Sequence, residues 1–254
     1  MKQFIFNFLL ISIFIFDSCA SKEDIYYLQD AEINAVGDII YNTPLLQPND
    51  ILKITVESSE PMTSLPYNRS LGFNSQQSIE VMKLDGYLVD INNRINFPVL
   101  GSISTLNLTT SALAKHIKLK LIDGGHITNP NVIVRLLNAK VTVLGEVNAP
   151  GTYNFTEQNI TLLQAIGYAG DLTINGNRDG VLITREINGV RKVSRINLTS
   201  ADFMNSSFYF IKPNDVIIIS PNKPKVASSG FVGNVGTVAT VVSLVLSMTI
   251  LLTR

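Results

Sequence analysis

The sequence predicts an α+β fold, with two small domains in the middle of a 254-residue chain and an apolar segment on either side of them. Short β-prone segments separated by turn residues run through residues 47–219 and predict small sheets. Each of the two domains also holds one segment in which apolar residues recur at helical spacing. The segments 1–18 and 221–254 are much more apolar than the rest, and they predict an export signal and a membrane helix.

The N-terminal segment, residues 1–18, has the layout of a secretory signal peptide. One lysine precedes an almost unbroken apolar run from Phe4 to Phe16. That run is shorter than the roughly 20 residues that a membrane-spanning helix needs. The sequence therefore predicts export, and residues 19–45, which show no steady period, are expected to form a tether.

Cys19 is the only cysteine of the chain, and it comes directly after the signal-like segment. Its position resembles a bacterial lipobox, in which the signal is cut before the cysteine and the thiol carries a diacylglycerol. A simple signal peptide that leaves a free thiol is the alternative. Because Ala20 follows, and not the aspartate that marks inner-membrane retention, the sequence favours the outer membrane, with the domains in the periplasm.

Residues 46–139 predict a first α+β domain. The threonine pair at 109–110 can cap a helix in which Leu113, Ile117 and Leu121 share one face. A turn over 47–50 opens the domain. Its predicted strands are Ile51–Val56, Ile79–Met82, Tyr87–Ile91, Ile95–Gly101 and Asn131–Leu136.

Residues 140–220 predict a second domain. Thr161 and Gln164 have capping-box spacing and open a short helix that ends near Gly170. The Asn188-Gly189 dipeptide suits a two-residue hairpin turn. The predicted strands are Val141–Gly145, a segment holding Tyr153 and Phe155, Val181–Ile187, Val190–Val193 and, after a turn over 212–215, Val216–Ile219.

The C-terminal segment, residues 221–254, predicts a membrane helix. No charged residue occurs from Val226 to Thr253. A helix from Phe231 to Leu252 is about 33 Å long, enough to cross a hydrocarbon core of about 30 Å.

Small and hydroxyl residues recur along one side of this predicted helix at three- and four-residue spacing. They are Gly233, Gly236, Thr237, Thr240, Ser243 and Ser247. Such a stripe can let neighbouring helices approach closely, or it can line a wet lumen in a ring of helices. Packing is favoured because Leu244 and Leu251 lie in the same arc.

Composition and motifs argue against several function classes. The chain has 20 basic and 20 acidic residues without a basic block, which argues against nucleic-acid binding. His116 and His126 have no acidic neighbours at metal-ligand spacing and are expected at the surface. The chain lacks a nucleophile elbow and a phosphate-cradling glycine-rich loop. We therefore expect no catalytic site, no metal and no cofactor, apart from the covalent diacylglycerol and acyl lipid (such as palmitate) on Cys19.

Two runs of motifs resemble known domains. The first resembles the polysaccharide biosynthesis/export domain, in the residues Leu46–Val56, Ile95–Gly101 and Asn129–Val132. The second resembles the soluble-ligand-binding β-grasp (SLBB) domain, in the residues Val143–Val147, Pro150–Tyr153, Leu163–Ile166, Ala169–Leu172 and Tyr209–Ile217. The predicted fold is therefore a polysaccharide-export α/β domain, a β-grasp-like domain and a C-terminal transmembrane helix.

This resemblance implies an outer-membrane lipoprotein that forms a homo-oligomeric ring in the periplasm. The C-terminal helices of such a ring cross the membrane as a porin-like barrel, through which capsular polysaccharide or exopolysaccharide leaves the cell. The ring works with an inner-membrane polysaccharide co-polymerase, and the family has no catalytic residues. Only one β-grasp repeat is visible here, so the periplasmic part is expected to be shorter than in longer relatives.

Two other functions fit the residues less well. The chain could be a non-conducting envelope lipoprotein that binds glycan or scaffolds an envelope machine, and a protein without a ring in detergent would favour that function. A glycan-processing enzyme is disfavoured because the sequence shows no site for it, and glycan cleavage or transfer would be needed to support it.

Overall fold

The computed structural model describes residues 25–32, 39, 41, 43–69, 78–187, 189–229 and 235–252. Two separate hydrophobic cores lie within these residues, one built from residues between Leu46 and Val134 and one from residues between Ala139 and Ile219. Both combine strands with helices, as the predicted α+β class requires.

The first domain consists of a three-stranded sheet, a separate hairpin and one long helix. In chain order its elements are β1 (Ile51–Glu57), α1 (Pro61–Ser64), α2 (Ile79–Asp85), β2 (Tyr87–Leu88), β3 (Arg94–Phe97), β4 (Gly101–Ser104), α3 (Thr110–Asp123) and β5 (Asn131–Leu136). The sheet has the order β2-β1-β5, in which β1 is antiparallel to both neighbours, and β3 pairs with β4. The strand predicted over 95–101 is therefore divided into a hairpin.

Helix α3 closes the first core as predicted. The Thr109 hydroxyl accepts the N–H of Ala112 and caps the helix. Leu113, Ile117 and Leu121 are fully buried on one face, which packs against β5. The spacing of three apolar residues thus predicted both the helix and the face that it buries.

The segment 79–82 was predicted as a strand, and that prediction is wrong, because it begins helix α2. The Ser78 hydroxyl accepts the N–H of Val81 at 3.4 Å and caps the helix. Glu80, in the first turn, forms an ion pair with Lys83 at 2.8 Å. The cap and the i,i+3 ion pair favour the helix over the β propensity of the segment.

The second domain is built on a five-stranded mixed sheet and one short helix. In chain order its elements are β6 (Lys140–Gly145), β7 (Gly151–Asn154), β8 (Ile160–Thr161), α4 (Leu162–Tyr168), β9 (Val181–Ile187), β10 (Val190–Ile196), β11 (Phe210–Ile211) and β12 (Val216–Ile219). The sheet has the order β10-β9-β12-β6-β7, and β12 runs parallel to β6. The predicted capping box of Thr161 and Gln164 is present.

The two domains follow each other almost directly. Strand β5 ends at Leu136, which packs against both cores, and β6 begins at Lys140. Between them, Asn138 accepts the N–H of Ile51 on Oδ1 and donates from Nδ2 to the carbonyl of Asn49, each at 2.9 Å. Leu136, which is partly buried, and the Asn138 side chain thus hold the connection between the domains against the turn that opens the first domain.

Two helices follow the second domain, α5 (Lys223–Ser228) and α6 (Val235–Leu252). Of the helix predicted over 231–252, residues 235–252 form α6, and residues 231–234 lie outside the described residues. Among the described residues no helix is long and apolar enough to cross a membrane. The transmembrane prediction is therefore not supported.

Gly145, at the end of β6, occupies a position that other residues do not fit. Its φ is +94°, and an added Cβ would lie 1.9 Å from the carbonyl oxygen of Ile219. The N–H of Glu146 donates to that same oxygen at 3.0 Å. The glycine of the Gly-Glu-Val motif is thus required by the close approach of β12.

We expect Gly145→Ala to lower the free energy of unfolding by about 2 kcal/mol or more. The added Cβ would push the Ile219 carbonyl away, and alanine rarely adopts the positive φ of this position. Gly167→Ala is the matched control, since Gly167 lies inside α4 and its added Cβ would meet nothing within 4 Å. This control should be neutral or stabilise by up to about 1 kcal/mol. Urea denaturation followed by circular dichroism measures both, and equal effects would contradict the assignment.

Candidate functional site

The same turn precedes the central strand of each domain, over residues 47–50 before β1 and 212–215 before β12. Asn49 and Asn214 have φ of +72° and +69°, as expected at the third position of a type II turn with proline second. In both turns the N–H of the final aspartate donates to the first carbonyl at 3.1 Å. Its carboxylate accepts the first N–H, at 2.9 Å in the first domain and 2.8 Å in the second.

In the second domain the turn aspartate, Asp215, is neutralised by Arg185 of β9. The guanidinium donates from Nε and Nη2 to the carboxylate at 2.7–3.1 Å, and the two side chains are only 3% and 1% exposed. Arg185 also donates to the carbonyls of Ser207 and Phe210, each at 2.8 Å. Burial raises the pKa of the Asp215 carboxyl, and Arg185 opposes that rise. The pair joins β9, β12 and the preceding loop.

In the first domain the corresponding Asp50 has no such cation. It is only 4% exposed, and no ion pair to it occurs within the described part of the chain. The registers explain the difference: β9 places Arg185 opposite Asp215, whereas β5 leads into Asn138 opposite Asp50. Burial raises the pKa of Asp50 to about 6, opposed by the hydrogen bond from the N–H of Gln47.

A cleft of about 650 Å³ lies between the two domains, and Asp50 is one of the residues that border it. The outer face of β1 and β5 supplies Lys53, Glu57 and Arg135, and residues 155–158 come from the second domain. Lys53 and Arg135 are directly opposed in the sheet. The cleft therefore offers positively charged hydrogen-bond donors and negatively charged hydrogen-bond acceptors to a polar ligand.

The predicted site residues fall into two groups. Cys19, Gly233 and the side chain of Thr237 lie outside the described residues. The remaining stripe residues lie on α6, where the Thr240 hydroxyl donates to the carbonyl of Gly236 and that of Ser247 donates to the carbonyl of Ser243 at 2.8 Å. These hydroxyls are thus bonded to the helix that carries them. Lipidation of Cys19 and the role of the stripe stay predictions.

The apolar residues of α6 are exposed on all sides of the helix. Each side chain of α6 that the structure describes is exposed. The exposed fractions of its large apolar residues run from 41% to 81%, for Val241, Val242, Leu244, Val245, Leu246, Met248, Ile250 and Leu251. So much apolar surface on one element indicates a contact with lipid or with another molecule.

The histidines make no metal site where the structure describes them. His126 is exposed, and its ring lies edge-on to Tyr67 with centroids 5.9 Å apart. His116 is partly exposed on α3. Within the described residues no group of three or more His, Cys, Asp or Glu could hold a metal ion.

Sequence reasoning missed two features of this region. The burial of Asp50 and Asp215 had a signal, because the triplet Pro-Asn-Asp occurs once before each central strand. The docking of Tyr27 on the second domain had none, since the segment around it shows no period and no turn motif.

Each of the two consecutive α+β domains thus has a buried-aspartate turn directly before its central strand. Residues 41–137 match the polysaccharide biosynthesis/export protein family, and residues 139–219 match the SLBB domain. The chain thus carries a polysaccharide biosynthesis/export domain followed by an SLBB domain, in the order that its motifs predicted. This family is one of export proteins and is not a known class of enzymes.

Two curated relatives carry the same name, EPS I polysaccharide export outer membrane protein EpsA. The protein of Ralstonia solanacearum is 24% identical over 180 residues, which are 68% of this chain and 47% of the relative. The protein of Ralstonia nicotianae is 29% identical over 106 residues, 40% of this chain and 27% of the relative. The chain thus spans less than half the length of these relatives. The name of both relatives describes an outer membrane protein of polysaccharide export.

We expect Arg185→Met to lower the free energy of unfolding by about 3–5 kcal/mol, because it leaves the buried Asp215 carboxylate unpaired. Arg191→Met is the matched control: Arg191 pairs with Glu186 at 2.6 Å, but the two side chains are 69% and 61% exposed. Losing that pair should cost at most about 1 kcal/mol. Thermal or urea unfolding distinguishes them, and similar losses would show that the buried pair has no special role.

Asp50 should make stability depend on pH. Because burial raises its pKa from 3.8 to about 6, the folded state binds the proton more tightly than the unfolded state. The protonated Asp50 therefore contributes its full stabilisation of the folded state below about pH 4, and this contribution is lost as the pH rises to about 6. Asp50→Asn removes this dependence, so the free energy of unfolding of the wild type should fall relative to the variant across that window. Parallel pH profiles of urea denaturation for the two proteins would refute this.

Proposed function

We propose that the chain is a lipid-anchored subunit of an oligomeric translocon that exports capsular polysaccharide or exopolysaccharide through the outer membrane. The observation that carries this proposal is the match of both domains, in order, over residues 41–219. The match of residues 41–137 to an export family supports a role in export. The proposal adds three features to that role: the lipid on Cys19, the ring and the partners.

The exposed helix α6 supports assembly. Its large apolar side chains are uncovered, and such a surface is unfavourable in water. Copies of α6 that pack along the stripe through Gly236 and Ser243 would cover part of it, since small residues let helix backbones approach closely. The hydroxyls of Thr240 and Ser247 are already bonded to their own helix. This favours helix packing over the lining of a wet lumen.

The proposed cargo is a hydrophilic polymer that moves without being altered. Such a polymer needs a wet passage and weak contacts, because tight binding would slow transport. We also propose an inner-membrane polysaccharide co-polymerase as the periplasmic partner.

The first test is the mass of the full-length protein in mild detergent, beside a version truncated after Lys225 and a Cys19→Ser variant. We expect a discrete large oligomer for the full chain and loss of ring stability without α6. Intact mass spectrometry should show the added acyl mass on the wild type and not on Cys19→Ser.

The outcomes separate the parts of the proposal. A monomer or dimer for the full chain in several detergents would overturn the ring and leave a non-conducting, lipid-anchored envelope protein. The wild type for this measurement is purified from the membranes of a bacterium that processes lipoproteins. If its mass is unmodified, the proposed lipid anchor is overturned, and the ring is then judged by the oligomer mass alone.

A further inference from the structure

The cleft between the two domains has a pair of cations that the fold leaves without a counter-charge. Lys53 of β1 and Arg135 of β5 lie directly opposite each other on its wall, and both side chains are exposed. Like charges in this position destabilise a pair of strands. No carboxylate of the described residues forms an ion pair with either side chain. The pair is therefore open to an anionic group from outside the protein.

Three carboxylates border the same cleft, and each is held in place by one of its two oxygens. In Asp50, which is only 4% exposed, this oxygen accepts the hydrogen bond within the turn. Glu57 accepts the side-chain amide of Asn131, and Glu157 accepts the N–H of Thr156, each on Oε2 at 2.9 Å. Within the described residues the second oxygen of each carboxylate has no protein donor, so it can accept a hydrogen bond from a ligand.

The acceptors lie on both sides of the cation pair. Asp50 precedes Lys53 by three positions, and Glu57 follows it by four, which is about 13 Å along an extended strand. Glu157 borders the cleft from the second domain. A ligand that binds the cations thus meets acceptors towards each end of β1 and a third one from the other domain.

The cleft also has apolar surface beside the cations. Ile133 and Thr55 form the next pair on the same face of the sheet, and Ile133 is 39% exposed. A volume of about 650 Å³ lies in the range of clefts that hold small ligands, roughly 300–1,000 Å³. Such clefts combine apolar surface with a few placed polar groups. The C–H face of a sugar ring can pack on Ile133 while its hydroxyls reach the carboxylates.

The carboxylates determine which class of anion fits. A small anion without donors would bind the cation pair, but the carboxylates would repel it and keep their second oxygens unpaired. A neutral sugar would satisfy those oxygens and leave the cations without a counter-charge. A sugar that carries a carboxylate supplies one anionic group for the cations and several hydroxyl donors for the acceptors.

We propose that the interdomain cleft binds a segment of an acidic polysaccharide. The carboxylate of a uronic acid lies at Lys53 and Arg135, and sugar hydroxyls donate to the three carboxylates of the cleft. This inference deepens the proposed export function, since it names the class of the exported polymer. Both cations are exposed, so their contacts with the ligand are weak and reversible, as a moving polymer requires.

The test measures the binding of three defined hexamers to the full-length protein in mild detergent, by isothermal titration calorimetry at low ionic strength. Hexagalacturonate carries carboxylates and hydroxyls, maltohexaose carries only hydroxyls, and N-acetylated hexaglutamate carries only carboxylates. We expect the affinity for hexagalacturonate to be at least tenfold higher than the affinity for either of the other two.

Substitutions assign this binding to the cleft. Lys53→Met and Arg135→Gln should each lower the affinity for hexagalacturonate at least fivefold, because one cation of the pair is lost. Lys115→Met is the matched control, since Lys115 is exposed on α3 and does not border the cleft. It should leave the affinity unchanged.

Glu157→Ala separates recognition of hydroxyls from simple charge attraction. If Glu157 accepts a sugar hydroxyl, its loss lowers the affinity for hexagalacturonate at least twofold. If Glu157 were only a like charge, its loss would raise that affinity. An unchanged or higher affinity would therefore contradict the proposed recognition.

The remaining outcomes are equally decisive. Equal affinity for hexagalacturonate and hexaglutamate would show a general anion site, and equal affinity for the two sugars would show that the cations take no part. Either result would overturn the inference. A stable ring that binds none of the hexamers would overturn this inference alone, whereas a monomer that binds hexagalacturonate through the cleft would overturn the ring and keep the inference.

Discussion

The buried aspartate that opens the central strand of each domain is the constraint on which the rest of the structure depends. A type II turn leaves its first N–H facing inward, and the aspartate carboxylate satisfies it. The carboxylate then has to be stabilised away from water. In the second domain Arg185 does this and ties three segments together. In the first domain Asn138 takes the opposing position and binds the backbone of the turn, and no described residue places a cation on Asp50.

The Gly-Glu-Val motif connects the core of the second domain with its surface. Gly145 lets β12 approach, and Glu146 then accepts the hydroxyl of Thr173 at 2.9 Å and, on its carbonyl, the N–H of that residue at 3.0 Å. Thr173 begins the loop whose Arg178 lies over Tyr27. A motif that was recognised in the sequence therefore supports the loop on which Tyr27 packs.

Local patterns predicted most of the fold, and non-local contacts account for what they missed. The three apolar residues of α3 and the capping box of α4 are local signals, and both elements formed as predicted. The strand prediction for 79–82 failed because Ser78, just before the segment, caps a helix that includes these β-prone residues. The two domain families could be recognised from motifs, but the docking of Tyr27 on the second domain could not. Tyr27 and Asp171 are 144 positions apart, and no local pattern encodes such a contact.

The direct connection at Leu136 has a mechanical consequence. Leu136 packs against both cores and Asn138 bonds to the turn that opens the first domain, so the short connection restrains the angle between the domains. In a closed ring of identical copies, the angle that each subunit presents to the next determines how many copies complete the circle. The width of the opening through the proposed ring would then depend on the packing around Leu136 and on the hydrogen bonds of the Asn138 amide.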